Sequence, residues 1–274
     1  SAESSIYTRE SLESKMEFCG FVAITDPLRL EVFDAICECK KAGIEVKILT
    51  GDNLETAKAI GKTLGLLQKD SLALEAKDIE LMTKTQLLQN LPKIKIIARS
   101  TPSIKMQIVN TLKSMGNVVA LTGDGINDAP ALKNADIGIA MGISGTEVSK
   151  EASDIILLND SFATIVKAIE WGRGIYQNFQ RFIQFQLIVN FSSVLIVLGV
   201  VIMGFSTPFT ALQLLWVNLI MDGPPAIILG LEPISKNLMA QKPIKRNANI
   251  LTKDMLVLII TSGIFISFVC LMQY

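Results

Sequence analysis

The sequence predicts an α/β domain built on a parallel sheet, joined to a helical membrane region of three spans. Short apolar strands such as 44–49, 94–98 and 116–121 alternate with amphipathic helices over the first part of the chain, which is the pattern of a parallel sheet. Residues 182–221 contain no Asp, Glu, Lys or Arg, and this stretch is about twice as long as one bilayer crossing requires. The expected units are a cytosolic domain at 1–160, a stalk helix at 161–182 and a membrane region at 183–274.

Within the α/β part, the order of elements follows from apolar periodicity and from turn residues. Further strands are expected at 20–24, 137–140 and 154–158, and a turn at 99–103. Helices are expected after the Asp-Pro-Leu-Arg sequence to about residue 41, and at 54–64, 104–115 and 130–134. The polar residues 66–92 are expected to form a helix and loops at the edge of the sheet.

The membrane region is predicted to begin as the continuation of one long helix. Asn159, Asp160 and Ser161 are typical helix-capping residues, and no proline occurs between Ser161 and Thr207. At about 1.5 Å per residue, such a helix extends roughly 65 Å, so it can carry a movement from the α/β domain into the bilayer. The three spans are expected near 183–205, 209–231 and 255–273.

Basic residues indicate the orientation of these spans. The connection between the second and third spans is rich in them, whereas the Ser206-Thr207-Pro208 turn has none. They are Lys236, Lys242, Lys245, Arg246 and Lys253. Because basic residues collect on the cytosolic side of a membrane, residues 1–182 and the loop 232–254 are expected to be cytosolic.

The most informative motif is Thr-Gly-Asp-Gly-Ile-Asn-Asp-Ala-Pro at residues 122–130. It follows a buried strand and opens a helix, which is where α/β folds bind phosphate. The motif carries two carboxylates, Asp124 and Asp128, with the amide of Asn127 between them. Because carboxylates repel phosphate, they indicate a hard cation such as Mg²⁺ that bridges the two.

Other polar residues are expected at the same edge of the sheet. Thr50 offers a hydroxyl and Gly51 a backbone N–H, while Lys105 and Arg99 offer positive charge for phosphoryl oxygens. Positioning and charge neutralisation of this kind do most of the work in phosphoryl transfer. The pattern therefore predicts a phosphoryl-transfer site in which Asp124 is the magnesium ligand.

A second polar cluster is expected inside the membrane region. Asp222 lies within the second span, where an ionisable group is costly unless it is paired or bound to an ion. Asn218 lies one turn earlier, and Asn190 of the first span is expected to reach the same depth. Because Pro224 and Pro225 cannot donate to the preceding turn, the helix is expected to loosen and to free oxygens suited to Ca²⁺. The alternative is a proline kink that leaves Asp222 at the lumenal rim.

Composition excludes several kinds of chemistry. The chain has no histidine, which excludes Ser-His-Asp and Cys-His catalysis and histidine-ligated zinc. Its formal net charge is zero, so nothing indicates a nucleic acid partner. The four cysteines lack the spacing of a metal site and are expected to be reduced packing residues.

Together these motifs resemble those of the P-type ATPases, and among them the calcium pumps. The resemblance covers nearly the whole chain. The motifs that carry it are Asp26-Pro27-Leu28-Arg29, Thr50-Gly51-Asp52-Asn53, Lys105, the 122–130 motif, Ala140-Met141-Gly142 and Val217-Asn218-Leu219-Ile220-Met221-Asp222. Most features look like the plasma-membrane type of calcium pump, whereas Asp222-Gly223-Pro224-Pro225 looks more like the secretory-pathway type. The resemblance implies a partial haloacid-dehalogenase-like sheet and ATP-driven export of Ca²⁺ from the cytosol.

The resemblance also implies roles for individual residues. Contact with the nucleotide or the phosphoryl group is implied for Thr50, Gly51, Asp52, Arg99, Lys105 and Asn127. The implied catalytic residues are Lys105, Asp124, Asp128 and Thr50, with ATP as substrate and Mg²⁺ on Asp124. The implied membrane ligands of Ca²⁺ are Asn190, Asn218 and Asp222. Ser193 and Met221 stand where pumps that carry two calcium ions have Glu and Thr, which implies one Ca²⁺ per cycle.

One motif of the family does not occur in these 274 residues. The resembling pumps are phosphorylated on the aspartate of an Asp-Lys-Thr-Gly-Thr sequence, which the chain does not contain. The chain is therefore expected to be a piece that starts late in the phosphorylation domain and stops in the seventh membrane helix. It is expected to need the N-terminal part of the same pump, and to be inactive alone.

Other functions stay open at this stage. One alternative is a membrane-anchored phosphohydrolase of the haloacid-dehalogenase type, and another is a pump for Mn²⁺ or another cation. A third is a non-catalytic membrane protein that binds a ligand or pairs with the rest of a split pump. The expected location is a multi-pass position in the plasma membrane or in a vacuolar, Golgi or endoplasmic reticulum membrane.

Overall fold

In a computed structural model, the chain forms an α/β domain followed by long apolar helices. The structure describes residues 16–22, 27–206, 208–233, 235 and 237–273, and of Asp222 it describes only the backbone. The end of the strand expected at 20–24 lies outside the described residues, as do Asp26, Thr207 and Lys236. Residues 16–22 form neither a helix nor a strand.

The described strands form two sheets of three parallel strands each. In the first sheet, β3 (Ile94–Ala98) lies between β1 (Ile48–Leu49) and β2 (Leu72–Glu75). In the second sheet, β5 (Ile137–Met141) lies between β4 (Ala120–Gly123) and β6 (Ile155–Leu157). Because the strands of each sheet are parallel, the loops that follow them meet at one edge, and this is what positions the site.

Helices connect the strands and bury the faces of the sheets. They are α1 (Glu31–Lys41), α2 (Leu54–Thr63), α3 (Ala76–Glu80), α4 (Lys84–Asn90), α5 (Pro102–Ser114), α6 (Ala129–Asn134) and α7 (Glu147–Glu151). The side chains of Asn53 and Thr101 accept backbone N–H groups at the starts of α2 and α5, which satisfies donors that the helix itself leaves free. The largest buried cluster joins β3 to α4 and α5 through Leu87, Ile94, Ile97 and Ile104.

The structure corrects the predicted order of elements in several places. Residues 66–92 contain β2 together with α3 and α4, where a helix and loops were expected. The four residues of β2 include no β-branched or aromatic side chain, so pairing with β3 creates a strand that local pattern does not indicate. β1 is shorter than the expected strand 44–49, β4 begins later than 116, and α7 was not predicted.

The expected continuous helix is confirmed. α8 (Phe162–Ile202) contains 41 residues, which correspond to about 60 Å. α9 (Ala211–Gly230) and α10 (Lys253–Met272) follow it. In the described part of the chain, these three helices are long and apolar enough to cross a membrane. The side chain of Ser161 makes no cap hydrogen bond, and its hydroxyl donates to Glu31 of α1 at 2.8 Å.

The expected loosening of the second span is wrong. α9 runs through Pro224 and Pro225 as one helix. The carbonyls of Ile220 and Met221 still lack the N–H donors that non-proline residues would supply at those two positions. A proline pair therefore removes hydrogen bonds here without ending the helix.

The loop between α9 and α10 folds back onto the α/β domain. Arg246 of this loop forms an ion pair with Asp136, which lies between α6 and β5. Arg173 of α8 donates to the carbonyl oxygens of Leu238 and Gln241, both at 2.9 Å. The loop thus lies on the same side of the spans as the α/β domain, as the distribution of basic residues predicts.

Candidate functional site

A cavity of about 280 Å³ lies at the carboxyl ends of β1 and β4, and we call it the strand-end cavity. Its lining comes from these two strand ends, from the loops that follow them, from the end of β5 and from α5. The lining residues are Leu49, Thr50, Gly51, Lys105, Thr122, Gly123, Asp124, Asp128 and Met141. Five candidate residues from three separate segments of the sequence therefore meet around one space.

A close ion pair in this cavity joins Lys105 to Asp128. The Lys105 Nζ atom lies 2.5 Å from Asp128 Oδ1, and the two side chains are only 17% and 8% exposed. Asp128 packs tightly against Gly123, where an added Cβ atom would lie 2.6 Å from the Cβ atom of Asp128. Glycine is thus required at position 123 for the carboxylate to sit below the loop and reach the lysine.

Asp124 is held through its backbone while its side chain stays exposed. Its carbonyl oxygen accepts hydrogen bonds from the Thr146 N–H at 2.9 Å and from the Ser149 hydroxyl at 3.2 Å. No hydrogen bond or ion pair within the described residues engages its carboxylate. Because Mg²⁺ is commonly bound by one or two carboxylates together with water and substrate phosphates, a free carboxylate beside a polar cavity fits this ion. Asp128 fits it less well, since Lys105 already occupies one of its oxygens.

The loop after β1 is tied to the loop after β3. The Thr50 hydroxyl donates to Asp52 Oδ2 at 2.9 Å, and the N–H of Arg99 donates to the Asp52 carbonyl at 3.0 Å. Arg99 has a φ of 52°, a left-handed conformation that is uncommon outside glycine and that often occurs at functional loops. Asp52, Arg99 and Asn127 are exposed to solvent. They are not among the described residues that line the strand-end cavity.

Four cavity residues were not predicted from the sequence as site residues. Thr122 and Gly123 belong to the 122–130 motif, and the other two are apolar. Leu49 and Met141 are the last residues of β1 and β5, and both line the strand-end cavity. Apolar residues at strand ends carry no chemical signal of their own. Only their position beside Thr50 and Asp124 identifies them as part of the wall.

The two sheets leave two strand edges beside the strand-end cavity. β1 pairs with β3, and β4 pairs with β5. Within the described residues, neither β1 nor β4 pairs with a strand on its other side. The cavity is therefore bordered by two open edges whose backbone groups can pair with a further strand.

The candidate membrane ligands lie on two neighbouring helices. Asn190 lies on α8 and Asn218 on α9, and both are exposed in this chain. No hydrogen bond between them occurs in the described part of the structure. Asp222 lies one turn after Asn218 on α9, and its side chain is outside the description. Their role as Ca²⁺ ligands stays a prediction.

Asp160 was considered from the sequence only as a helix-capping residue, yet it has several long-range partners. Its carboxylate accepts three backbone N–H groups, from Gly142 at 2.7 Å, Ile143 at 3.1 Å and Ser144 at 2.8 Å. Burial acts to raise the pKa of Asp160, but these hydrogen bonds outweigh it and lower the pKa from 3.8 to about 2. The only sequence signal is an acidic residue directly before a long helix, which does not indicate a loop 16 to 18 residues earlier as its partner.

Comparison with protein families agrees with the two-part architecture. A family model described as the C-terminus of cation transporting ATPases matches residues 206–274. Two models described as haloacid dehalogenase-like hydrolases match residues 3–136 and 105–169. The matches therefore fall on both the α/β domain and the membrane region.

Curated relatives match most of this chain. It is 44% identical over 252 residues to human calcium-transporting ATPase type 2C member 1, covering 92% of this chain and 27% of that protein. It is 49% identical over 234 residues to putative calcium-transporting ATPase 11, plasma membrane-type, of Arabidopsis thaliana, covering 85% of this chain and 23% of that protein. The chain thus spans about a quarter of the length of these relatives. A solved structure of the catalytic domain of the CPx-ATPase CopB-B is 29% identical, with a TM-score of 0.40, and the match covers 53% of this chain and 46% of that one.

Proposed function

Because this chain belongs to the P-type ATPases, with relatives named calcium-transporting ATPases, we propose that it is part of a pump that couples ATP hydrolysis to Ca²⁺ export from the cytosol. The observation that carries this proposal is the strand-end cavity. It combines a hydroxyl, a lysine and a free carboxylate at the edge where parallel α/β sheets bind phosphate.

In this proposal each cavity residue has a separate task. Gly51 donates its backbone N–H to the oxygens of the transferred phosphoryl group, and the Thr50 hydroxyl donates to them in place of its bond to Asp52. Lys105 neutralises part of the charge on these oxygens. Asp124 holds Mg²⁺, which supplies further positive charge where the phosphoryl group is transferred. Asp128 keeps the Lys105 ammonium in place. The exposed residues Asp52, Arg99 and Asn127 contact the nucleotide outside the strand-end cavity.

The phosphorylated aspartate comes from another part of the pump. The open edges of β1 and β4 support this step, since a strand paired with both would end beside Thr50 and Asp124. Acyl-phosphate formation needs a carboxylate nucleophile in that position. A polypeptide of these 274 residues alone is therefore expected to form no phosphoenzyme from labelled ATP, and acid-stable label on it would contradict the proposal.

The transported ion binds at Asn190, Asn218 and Asp222. Asp222 is an ionisable residue inside an apolar helix, and such a group is costly in a membrane without a partner or an ion. Ser193 and Met221 add at most one oxygen ligand, so one Ca²⁺ per cycle is favoured. α8 joins the α/β domain to Asn190 without interruption, which supports mechanical coupling between the two sites.

Transport by the full-length pump that contains this chain tests the proposal. ATP and Mg²⁺ are added to sealed membrane vesicles whose cytosolic face is outward, and uptake of labelled Ca²⁺ and labelled Mn²⁺ is measured beside formation of an acid-stable phosphoenzyme. We expect Ca²⁺-dependent phosphorylation together with Ca²⁺ uptake. Phosphatase activity without cation uptake would favour the membrane-anchored phosphohydrolase. Uptake of Mn²⁺ alone would show that the pump transports Mn²⁺ and not Ca²⁺.

A further inference from the structure

Asp160 connects the start of the long helix α8 to the loop after β4. This loop carries Asp124, and we call it the Asp124 loop. Asp160 lies two residues before Phe162, the first residue of α8. Its two carboxylate oxygens accept the N–H groups of three consecutive residues, from Gly142 to Ser144. Three N–H groups that converge on one carboxylate fix both the loop and the residue that carries the charge.

The residues that follow Ser144 contact Asp124, which lies on the loop after β4. Thr146 donates its backbone N–H to the carbonyl oxygen of Asp124 at 2.9 Å. The hydroxyl of the fully buried Ser149 is shared between this oxygen at 3.2 Å and the Thr146 carbonyl oxygen at 2.7 Å. Only Gly145 separates Ser144 from Thr146, and a side chain at position 145 would collide with the carbonyl oxygen of Met141. The segment from Gly142 to Ser149 is therefore a short, tightly packed bridge with Asp160 at one end and Asp124 at the other.

Asp160 is also fixed from the side of the α/β domain. Arg29 donates to its carbonyl oxygen at 3.1 Å, and the neighbouring Ser161 bonds to Glu31 of α1. Its φ of 49° is a left-handed conformation, which Asp adopts more readily than most other residues with a side chain. The start of α8 and the bridge are thus attached to one residue rather than to a flexible linker.

We propose that Asp160 is a positioning residue that fixes the Asp124 loop to the start of α8, so that Mg²⁺ binding at Asp124 depends on a residue outside the strand-end cavity. This inference rests on the proposed pump function. If Asp160 is removed, the bridge loses its anchor and Asp124 spends less time in the geometry that binds the ion. The prediction concerns the Mg²⁺ requirement, and a purely structural role of Asp160 would change only stability.

The test uses the full-length pump in membranes, phosphorylated from inorganic phosphate in the absence of Ca²⁺ at a series of Mg²⁺ concentrations. For Asp160→Asn, which keeps the size of the side chain but turns one acceptor into a donor, we expect the half-saturating Mg²⁺ concentration to rise about tenfold, the effect of losing one charge-assisted hydrogen bond. Nucleotide binding, measured with a fluorescent ATP analogue, should stay unchanged. Asp160→Gly, which tolerates the left-handed backbone, should behave in the same way.

Asp154→Asn is the matched control. Asp154 also accepts a backbone N–H through its carboxylate, from Gly138 at 2.8 Å, but it is not part of the bridge between Asp124 and α8. It should reduce thermal stability without raising the Mg²⁺ requirement. Ser149→Ala removes a single hydroxyl from the opposite end of the bridge and should raise the requirement by a smaller factor, which tests the idea independently of how the Asp160 variants fold.

The outcomes separate two failures. A wild-type pump that forms no phosphoenzyme at all would defeat the proposed function. A wild-type pump that is phosphorylated normally, together with Asp160 and Ser149 variants whose Mg²⁺ requirement equals that of the Asp154 control, would defeat only the positioning role of Asp160.

Discussion

The ammonium group of Lys105 and the carboxylate of Asp128 form a nearly buried ion pair at 2.5 Å, between the first turn of α5 and the loop that follows β4. The pair joins α5 to the loop after β4, where Asp124 also lines the strand-end cavity. It therefore fixes the position of the Lys105 ammonium group, which we propose neutralises charge on the phosphoryl oxygens. It also makes Lys105 a stability determinant as well as a site residue.

Lys105→Met is expected to destabilise the protein because it leaves the Asp128 carboxylate buried without a partner. Removing one member of a buried pair costs roughly 3 kcal/mol, and the remaining exposure of Lys105 reduces this to about 2 kcal/mol. Urea unfolding followed by circular dichroism measures the change. The double variant Lys105→Met with Asp128→Asn should recover part of the loss, and no recovery would show that the unpaired Asp128 carboxylate is not the cause of the destabilisation.

Asp124→Asn in the full-length pump is expected to abolish phosphorylation while nucleotide binding stays largely intact. The change removes the free carboxylate beside the strand-end cavity and lowers Mg²⁺ affinity where the ion neutralises the phosphoryl group. Phosphoenzyme formation at ordinary Mg²⁺ and binding of an ATP analogue are measured side by side. Normal phosphoenzyme would show that Asp124 is only a turn residue.

Asp222→Asn is expected to separate the two sites of the pump. Loss of the charge weakens ion binding in α9, so Ca²⁺-dependent phosphorylation from ATP should disappear. Phosphorylation from inorganic phosphate should survive and become insensitive to Ca²⁺, because the strand-end cavity is unchanged.

Asp254→Asn is a suitable control for Asp222, since Asp254 lies in the first turn of α10 at the end of its span. It should leave the Ca²⁺ dependence as in the wild type. Transport with unchanged Ca²⁺ affinity in the Asp222 variant would mean that the ion binds elsewhere.

The stabilising effect of Asp160 is expected to depend on pH. Its pKa is lowered in the folded protein, from 3.8 to about 2, so its contribution to the free energy of unfolding is present above pH 3.8 and is lost as the pH falls towards 2. The difference in stability between wild type and Asp160→Asn should therefore be constant above about pH 5 and decrease between about pH 4 and pH 2. Denaturant titrations at several pH values measure it, and a difference that stays constant down to the lowest pH would show that the charge of Asp160 does not matter.

Much of the fold and part of the candidate site follow from contiguous residues. The 122–130 motif identifies the loop after β4, and the absence of proline between Ser161 and Thr207 predicts α8. Asn53 and Thr101 are capping residues whose effect is confined to the next turn of helix. Such features depend on neighbours a few positions away, and the sequence displays them directly.

Which of these features come into contact depends on the tertiary fold. The four residues of β2 become a strand only by pairing with β3, and Lys105 reaches Asp128 across 23 positions of the chain. Asp160 caps no helix with its carboxylate, because three N–H groups of a loop 16 to 18 residues earlier converge on it instead. Contiguous residues specify the local elements, the apolar spans and the kinds of chemical group at the site. The distances between those groups depend on how the sheets and helices pack, and no short segment of the sequence encodes that packing.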